Sequence, residues 1–143
     1  FVSNLIAQKI HSNIELIEPI VNKSNKTYVL FLPENEIHDL GLLYLNYELL
    51  LKGNKTIYLG QNLPLDNLKC FFDYEEDLCF VTSLTVQPYK DKIEDYFTEV
   101  EGLLEHSKHK FIAVGRRTSL LKAKDYKSNI SFFDSIADIL KVI

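Results

Sequence analysis

The sequence of 143 residues predicts an α/β fold in which helices cover both faces of a parallel sheet. Two observations predict it: short runs rich in β-branched and aromatic residues recur along the chain, and helical patterns separate them. The predicted strands are 27–32, 56–60, 78–83, 110–115 and 129–133. The predicted helices among them are 39–52, 65–73, 89–106 and 134–142, with a shorter one near 118–124. Elements that alternate in this way are joined by right-handed crossovers, so the strands run parallel.

Five such strands favour the flavodoxin-like (Rossmann-like) order 2-1-3-4-5. In sheets of this kind a ligand binds at the carboxyl ends of the strands, beside the switch point between strands 1 and 3. Gly53 is placed to end the helix after strand 1, and Asp134 is placed to cap the last helix. We therefore look for a functional site in the loops after strands 1, 3 and 4.

The first residues form a separate unit. Apolar residues at three-and-four spacing predict an amphipathic helix that ends near Pro19, followed by the polar connector "NKSNK" at 22–26. We assign residues 1–22 to this helix and 26–143 to the α/β domain. The chain begins at Phe1 and contains no Met, so we expect a further N-terminal part in the natural protein.

Composition narrows the possible functions. The 16 Lys and Arg residues against 20 Asp and Glu residues give a net charge of -4, which argues against a nucleic-acid surface on this chain. No apolar run reaches the roughly 18 residues of a membrane span, and the start lacks the pattern of a signal peptide. A cytoplasmic protein without membrane contact is expected. Cys70 and Cys79 lack CxxC spacing, which predicts buried free thiols.

The loop after strand 1, "PENEIHDLG", carries a histidine close to a carboxylate. A metal-ligating imidazole usually donates its second ring N–H to a carboxylate or carbonyl, and Glu36 precedes His38 by two residues. This pair cannot hold zinc, which needs three or four ligands, but it can give one axial ligand to a metal in a macrocycle. A polar surface histidine is the alternative. Gly41, at the start of the next helix, indicates either close approach of a ligand or tight packing.

Other ligand classes of this fold lack support in the same loops. A phosphoryl-accepting receiver domain needs an aspartate at the end of strand 3, where this chain has "VTS". A flavodoxin needs a phosphate cradle after strand 1, and the acidic loop there offers none. Neither GxGxxG nor GxxxxGK[ST] occurs. Ser83 and Thr85 follow strand 3 and Gly115 follows strand 4, so topology places them on the rim with His38.

These residues resemble the motif of the cobalamin-binding domain family. That family carries Asp/Glu-x-His-x-x-Gly after its first strand, Ser-x-Leu or Thr after its third and Gly-Gly after its fourth. This chain has Glu36-Ile37-His38-Asp39-Leu40-Gly41, then 41 residues to Ser83-Leu84-Thr85, and later Val114-Gly115. Nearly the whole chain also resembles the C-terminal part of MerR-type transcriptional regulators whose sensor half binds cobalamin, with the first helix as the end of a helical cap.

The resemblance implies a site made of Glu36, His38, Asp39, Gly41, Ser83, Thr85 and Gly115. In it His38 is the lower axial ligand of cobalt and the metal ligand of the site, Glu36 orients His38, and Gly41 lies under the corrin. Ser83 and Thr85 line a slot for the detached nucleotide tail, and Gly115 lets the tail pass. The implied cofactor is adenosylcobalamin or methylcobalamin.

The implied protein is a non-enzymatic sensor. It binds DNA only through an N-terminal domain that this chain lacks, and it forms a homo-oligomer at full length. Two rivals share the same rim: a corrinoid carrier for methyl transfer, and a degenerate relative that acts in oligomerisation without cobalamin. Val114 replaces the family's first glycine, which predicts weaker cobalamin binding. Arg116 and Arg117 follow, either as solvated charges or as a phosphate contact.

Overall fold

A computed structural model describes residues 2–17, 26–121 and 125–143, with a five-stranded parallel sheet at their centre. The strands are β1 (Lys26–Pro33), β2 (Lys55–Leu63), β3 (Asp77–Ser83), β4 (Lys110–Val114) and β5 (Ile130–Phe133). Their order is β2-β1-β3-β4-β5, and every neighbouring pair is parallel. The predicted strand order and all five predicted strands are confirmed.

Helices flank the sheet. The α-helices are α1 (Val2–Glu15), α2 (Leu40–Leu51), α3 (Ile93–Leu103) and α4 (Ile136–Leu140), and the 3-10 helices are Leu65–Phe71 and Arg116–Leu120. The helical stretch predicted at 65–73 is therefore a 3-10 helix. The helix predicted at 89–106 spans only Ile93–Leu103, because residues 90–92 form a turn in which the N–H of Lys92 donates to Tyr89 O at 2.8 Å. The helix predicted near 118–124 is the short 3-10 helix, and 122–124 lie outside the described residues.

The two predicted helix ends have different outcomes. Gly53 has a φ of 80°, and its N–H donates to Leu50 O at 2.9 Å, so it ends α2 as expected. Asp134 does not cap α4. Ser135 is the N-cap, since its hydroxyl oxygen accepts the N–H of Asp138 at 3.2 Å. Serine and aspartate are both good caps, and the hydroxyl of the residue next to the helix reaches this N–H.

Apolar side chains fill both sides of the sheet in two clusters. The first core cluster packs beside α3 and the 3-10 helix 65–71, and the second packs beside α2 and α4. Alternate residues of β1 supply them, with Val29 and Phe31 in the first cluster and Leu30 and Leu32 in the second. Because β1 is buried on both faces, its sequence is apolar without interruption.

The amphipathic N-terminal helix is present as α1. It contacts α2, and none of its residues is buried. Its predicted end near Pro19 and the connector up to Asn25 lie outside the described residues. In the described ranges, no helix combines the length and apolar character needed to cross a membrane.

The two thiols differ in exposure. Both Cys70 and Cys79 are free, and Cys79 is buried in β3 as predicted. The predicted burial of Cys70 is wrong. The 3-10 helix that carries Cys70 turns Leu65 and Leu68 towards the sheet, which leaves the Cys70 thiol on its outer side.

A buried histidine lies at the amino end of the sheet, opposite the predicted ligand rim. His109 is 1% exposed, and its Nδ1 accepts the N–H of Leu78 at 3.1 Å. Its ring packs edge-on against Phe72 and Phe80, at centroid distances of 5.4 and 6.0 Å. Burial is the main cause that lowers the pKa of His109, and it outweighs the backbone hydrogen bond to Phe72, which raises it. The neutral ring therefore links β3 to β4.

We expect stability to fall as the pH drops below about 6.5, because the unfolded chain then binds a proton that buried His109 resists. His109→Asn keeps an acceptor for the N–H of Leu78 and does not titrate, so it should remove this part of the pH dependence. Urea unfolding of both proteins between about pH 5 and 8 measures it. Parallel pH profiles for the two proteins would show that His109 is not the cause.

Candidate functional site at the carboxyl ends of the strands

A buried carboxylate organises the loop after β1. Glu36 is 1% exposed, and its Oε1 accepts the backbone N–H groups of Ile37 and His38, each at 3.0 Å. The same oxygen lies 2.6 Å from Nδ1 of the His38 ring. Its Oε2 accepts the N–H groups of Val86 and Gln87 at 2.7 and 2.8 Å. One carboxylate thus joins the loop after β1 to the loop after β3.

These donors keep the Glu36 carboxylate charged. Burial by itself raises the pKa of Glu36, but hydrogen bonds from the backbone of Gln87, Val86 and His38 and from the His38 ring lower it to about 2. An ionised carboxylate only accepts hydrogen bonds, so the proton of the neutral imidazole is on Nδ1 of His38. The lone pair of the neutral ring is then on Nε2.

His38 presents this second nitrogen outward. Its side chain is 59% exposed, and no hydrogen bond to Nε2 is seen within the described part of the chain. Ile37 and Val86, which are bonded to the same carboxylate through their backbone, are 62% and 38% exposed. An oriented imidazole therefore lies beside exposed apolar side chains at the rim.

Two further residues of the predicted site support the loop and helix behind His38. Asp39 precedes α2, and its Oδ2 accepts the hydroxyl of Tyr58 at 3.4 Å. The pKa of Tyr58 is raised, mainly by burial and to a smaller extent by the nearby Asp39 carboxylate. Gly41 lies in the first turn of α2, where an added Cβ would come 3.2 Å from Cδ1 of Ile136. The geometry thus gives Gly41 a packing role, between two helices.

The loops after β3 and β4 touch each other through the remaining predicted residues. Ser83 is half-buried at the end of β3, and Thr85 is exposed. Gly115 has a φ of 131°, and a Cβ there would lie 2.5 Å from the carbonyl oxygen of Leu84. Glycine is required at this position because backbone from the neighbouring loop occupies the space of a side chain.

Arg117 fixes the same loop. Its Nε donates to Thr85 O at 3.0 Å and its Nη1 donates to Pro88 O at 3.3 Å. From the sequence, Arg117 was expected to be either a solvated charge or a phosphate contact. Neither expectation included hydrogen bonds to the loop after β3. The side chain binds carbonyl oxygens, which no sequence motif reveals.

The sequence predicted only part of the contacts at this rim. Glu36 and His38 lie in direct contact, as their spacing suggested, whereas no hydrogen bond joins Ser83, Thr85 or Gly115 to either residue in the described part of the chain. Val86 and Gln87 were missed because they contribute backbone N–H groups. Among the described residues, no group of three or more His, Cys, Asp or Glu side chains is placed to hold a metal ion.

Comparison with known proteins identifies the fold class. No protein-family model matches the chain, and no curated protein sequence matches it. Among solved structures it is similar to the monomethylamine corrinoid protein of Methanosarcina barkeri, with a TM-score of 0.63 and 16% sequence identity. The similarity covers 97% of this chain and 62% of that one. The chain therefore has the α/β fold of a corrinoid protein and spans less than two-thirds of its length.

Replacing Glu36 with Gln should destabilise the fold, because an amide places donors against the N–H groups that the carboxylate accepts. A carboxyl pKa of about 2, against an ordinary 4.5, corresponds to a loss on the order of 3 kcal/mol at neutral pH. The wild-type advantage is complete above about pH 4.5 and disappears as the pH falls towards 2. Urea unfolding at several pH values measures this difference.

Glu34→Gln is the matched control, since Glu34 is exposed in the same loop. It should change the free energy of unfolding by less than about 0.5 kcal/mol. A Glu36→Gln variant as stable as this control at neutral pH would contradict the role assigned to the carboxylate.

Proposed function

We propose that this chain is a corrinoid-binding domain in which His38 ligates cobalt from the lower side of the macrocycle. The observation that supports it is the 2.6 Å contact between Nδ1 of His38 and Oε1 of Glu36, which leaves the lone pair of Nε2 facing outward as a possible metal ligand. A corrinoid brings cobalt already held by four equatorial nitrogens, so it needs only an axial ligand from the protein. One oriented histidine meets that need, whereas zinc requires more ligands.

The position and surroundings of His38 support the same proposal. The loop lies at the carboxyl end of β1, beside β3, where sheets of this order bind ligands. Exposed Ile37 and Val86 next to His38 offer apolar surface to the face of a macrocycle. The fold shared with a corrinoid protein covers almost the whole chain.

Within this class, the proposed role is the sensor half of a MerR-type transcriptional regulator. It rests on the sequence resemblance, which includes α1 as the end of a helical cap. In this role the chain has no catalytic residue, responds to adenosylcobalamin or methylcobalamin, and acts on DNA through an N-terminal domain of the full-length homo-oligomer.

A corrinoid carrier for methyl transfer is the second candidate. The structural neighbour is itself named as a corrinoid protein, and that observation favours a carrier as much as a sensor. Both roles use the same rim, so the rim does not distinguish them. A degenerate relative that serves only in oligomerisation is the third candidate, and it alone binds no corrinoid.

The first test is the visible spectrum of the protein after mixing with hydroxocobalamin and desalting. The wild type should retain colour with the spectrum of histidine-ligated cobalt, and His38→Ala should lose that signature. His11→Ala, which changes an exposed histidine of α1, is the control and should behave as wild type. Retention of the histidine signature by His38→Ala would contradict ligation by this residue.

The second test separates sensor from carrier. With a net charge of -4, residues 1–143 should not shift promoter DNA in a gel, because binding to phosphates requires clustered positive charge. The full-length protein should bind DNA through its own N-terminal segment, and added salt should weaken that binding. Salt-sensitive binding by residues 1–143 alone would overturn this division of labour, and no binding at full length would favour the carrier.

A further inference from the structure

The face of the sheet that carries Ser83 is filled at the rim. Side chains alternate along a strand, so Ser83 shares the face of Val81, and Val114 shares that of Ile112. Val81 belongs to the second core cluster, beside α2 and α4, and Ile112 packs against it. Val114 pairs with Ser83 in register and is 1% exposed. Valine therefore closes the sheet surface directly beside Ser83.

Two helices close the same face from above. Cδ1 of Ile136, in the first turn of α4, lies 3.2 Å from the position of a Cβ on Gly41 in α2. Phe133, the register partner of Val114 on β5, packs with Ile136 against the second core cluster. The space beside the start of α2 is thus occupied by an isoleucine side chain.

Backbone closes the remaining passage, between the loops after β3 and β4. The N–H of Leu84 donates to Val114 O at 2.8 Å, and Leu84 O lies only 2.5 Å from where a Cβ of Gly115 would be. A cleft of about 380 Å³ does open at the rim, with Gln87 and Tyr96 in its wall. That cleft lies on the α3 side, because Tyr96 packs against the first core cluster.

This packing bears on which corrinoid the site accepts. Cobalamin carries a nucleotide tail whose base binds the lower face of cobalt, and that base must leave when a protein histidine takes its place. Cobinamide has the same corrin ring without the nucleotide and its base. We infer that this domain binds corrinoids of the cobinamide class more tightly than cobalamins, because Val114 and Ile136 fill the face beside Ser83, where the family resemblance expects a released tail to lie. The inference rests on the proposed function.

Each residue contributes by its shape. Valine is branched at Cβ and stiff at χ1, so it cannot turn aside for an added group. Ile136 fills the space beside Gly41, since its Cδ1 lies only 3.2 Å from where a Cβ of that glycine would be. Binding the tail base on this face requires the packed side chains to rearrange, which costs free energy. Cobinamide has no such base, so its binding does not carry this cost.

The experiment titrates diaquocobinamide and hydroxocobalamin into four proteins and follows the visible spectrum of cobalt. The proteins are wild type, Val114→Gly, Ile136→Ala and Leu140→Ala, each checked for folding by thermal unfolding. Leu140 packs against the same cluster from the far end of α4, so Leu140→Ala is the matched control. Wild type should bind cobinamide at least about tenfold more tightly than hydroxocobalamin, a difference of about 1.4 kcal/mol.

The variants separate the packed face from the other difference between the ligands, the displacement of the tail base from cobalt. Val114→Gly and Ile136→Ala should each tighten hydroxocobalamin several-fold and leave cobinamide nearly unchanged, and Leu140→Ala should change neither. Equal affinities of wild type for the two ligands would overturn the inference and leave the proposed function standing. A preference that survives both substitutions would also overturn it, and failure of all four folded proteins to bind either ligand would overturn both.

Discussion

The rim of this domain depends on one buried charge. Taking a carboxylate out of water is costly unless it is fully hydrogen-bonded, and Glu36 meets that condition through four backbone N–H groups and the His38 ring. Two of the donors, at Val86 and Gln87, come from a loop about fifty residues further along the chain. The carboxylate therefore joins two loops, and the orientation of His38 follows from that join: Nδ1 turns inward to the charge and Nε2 outward.

The strand order explains why such a join is possible. β2 lies between β1 and β3 in the sequence, yet in the sheet β1 pairs with both of them. The loops after β1 and β3 therefore start from neighbouring strands. Their helices then go to opposite faces, with α2 on the second core cluster and α3 on the first. The loops diverge and leave a crevice between them, as sheets of this order do at the switch point. Glu36 occupies the base of that crevice, where backbone N–H groups from both sides face it.

The sequence predicted what depends on local pattern and missed what depends on distant backbone. The five strands were predictable from five apolar runs, because doubly buried strands must be apolar on both faces, and their order followed from the fold type that such alternation favours. The contact of Glu36 with His38 was predictable because two residues separate them. The N–H groups of Val86 and Gln87 were not, since every residue except proline carries one. Gly41 and Gly115 were recognised as positions that need glycine. The groups that leave little room for a side chain there, Ile136 and the Leu84 carbonyl, come from other elements and were not predictable.

The proposed ligation of cobalt by His38 and the shape of the rim rest on separate sets of contacts. The donors to Glu36 come from the loops after β1 and β3, whereas Val114 is packed beside Ser83 and Phe133 and is bonded to Leu84. No residue is common to the two sets. A change of packing on the α2 and α4 side removes none of the donors to Glu36, so a valine in place of glycine is compatible with the proposed role of His38 as axial ligand.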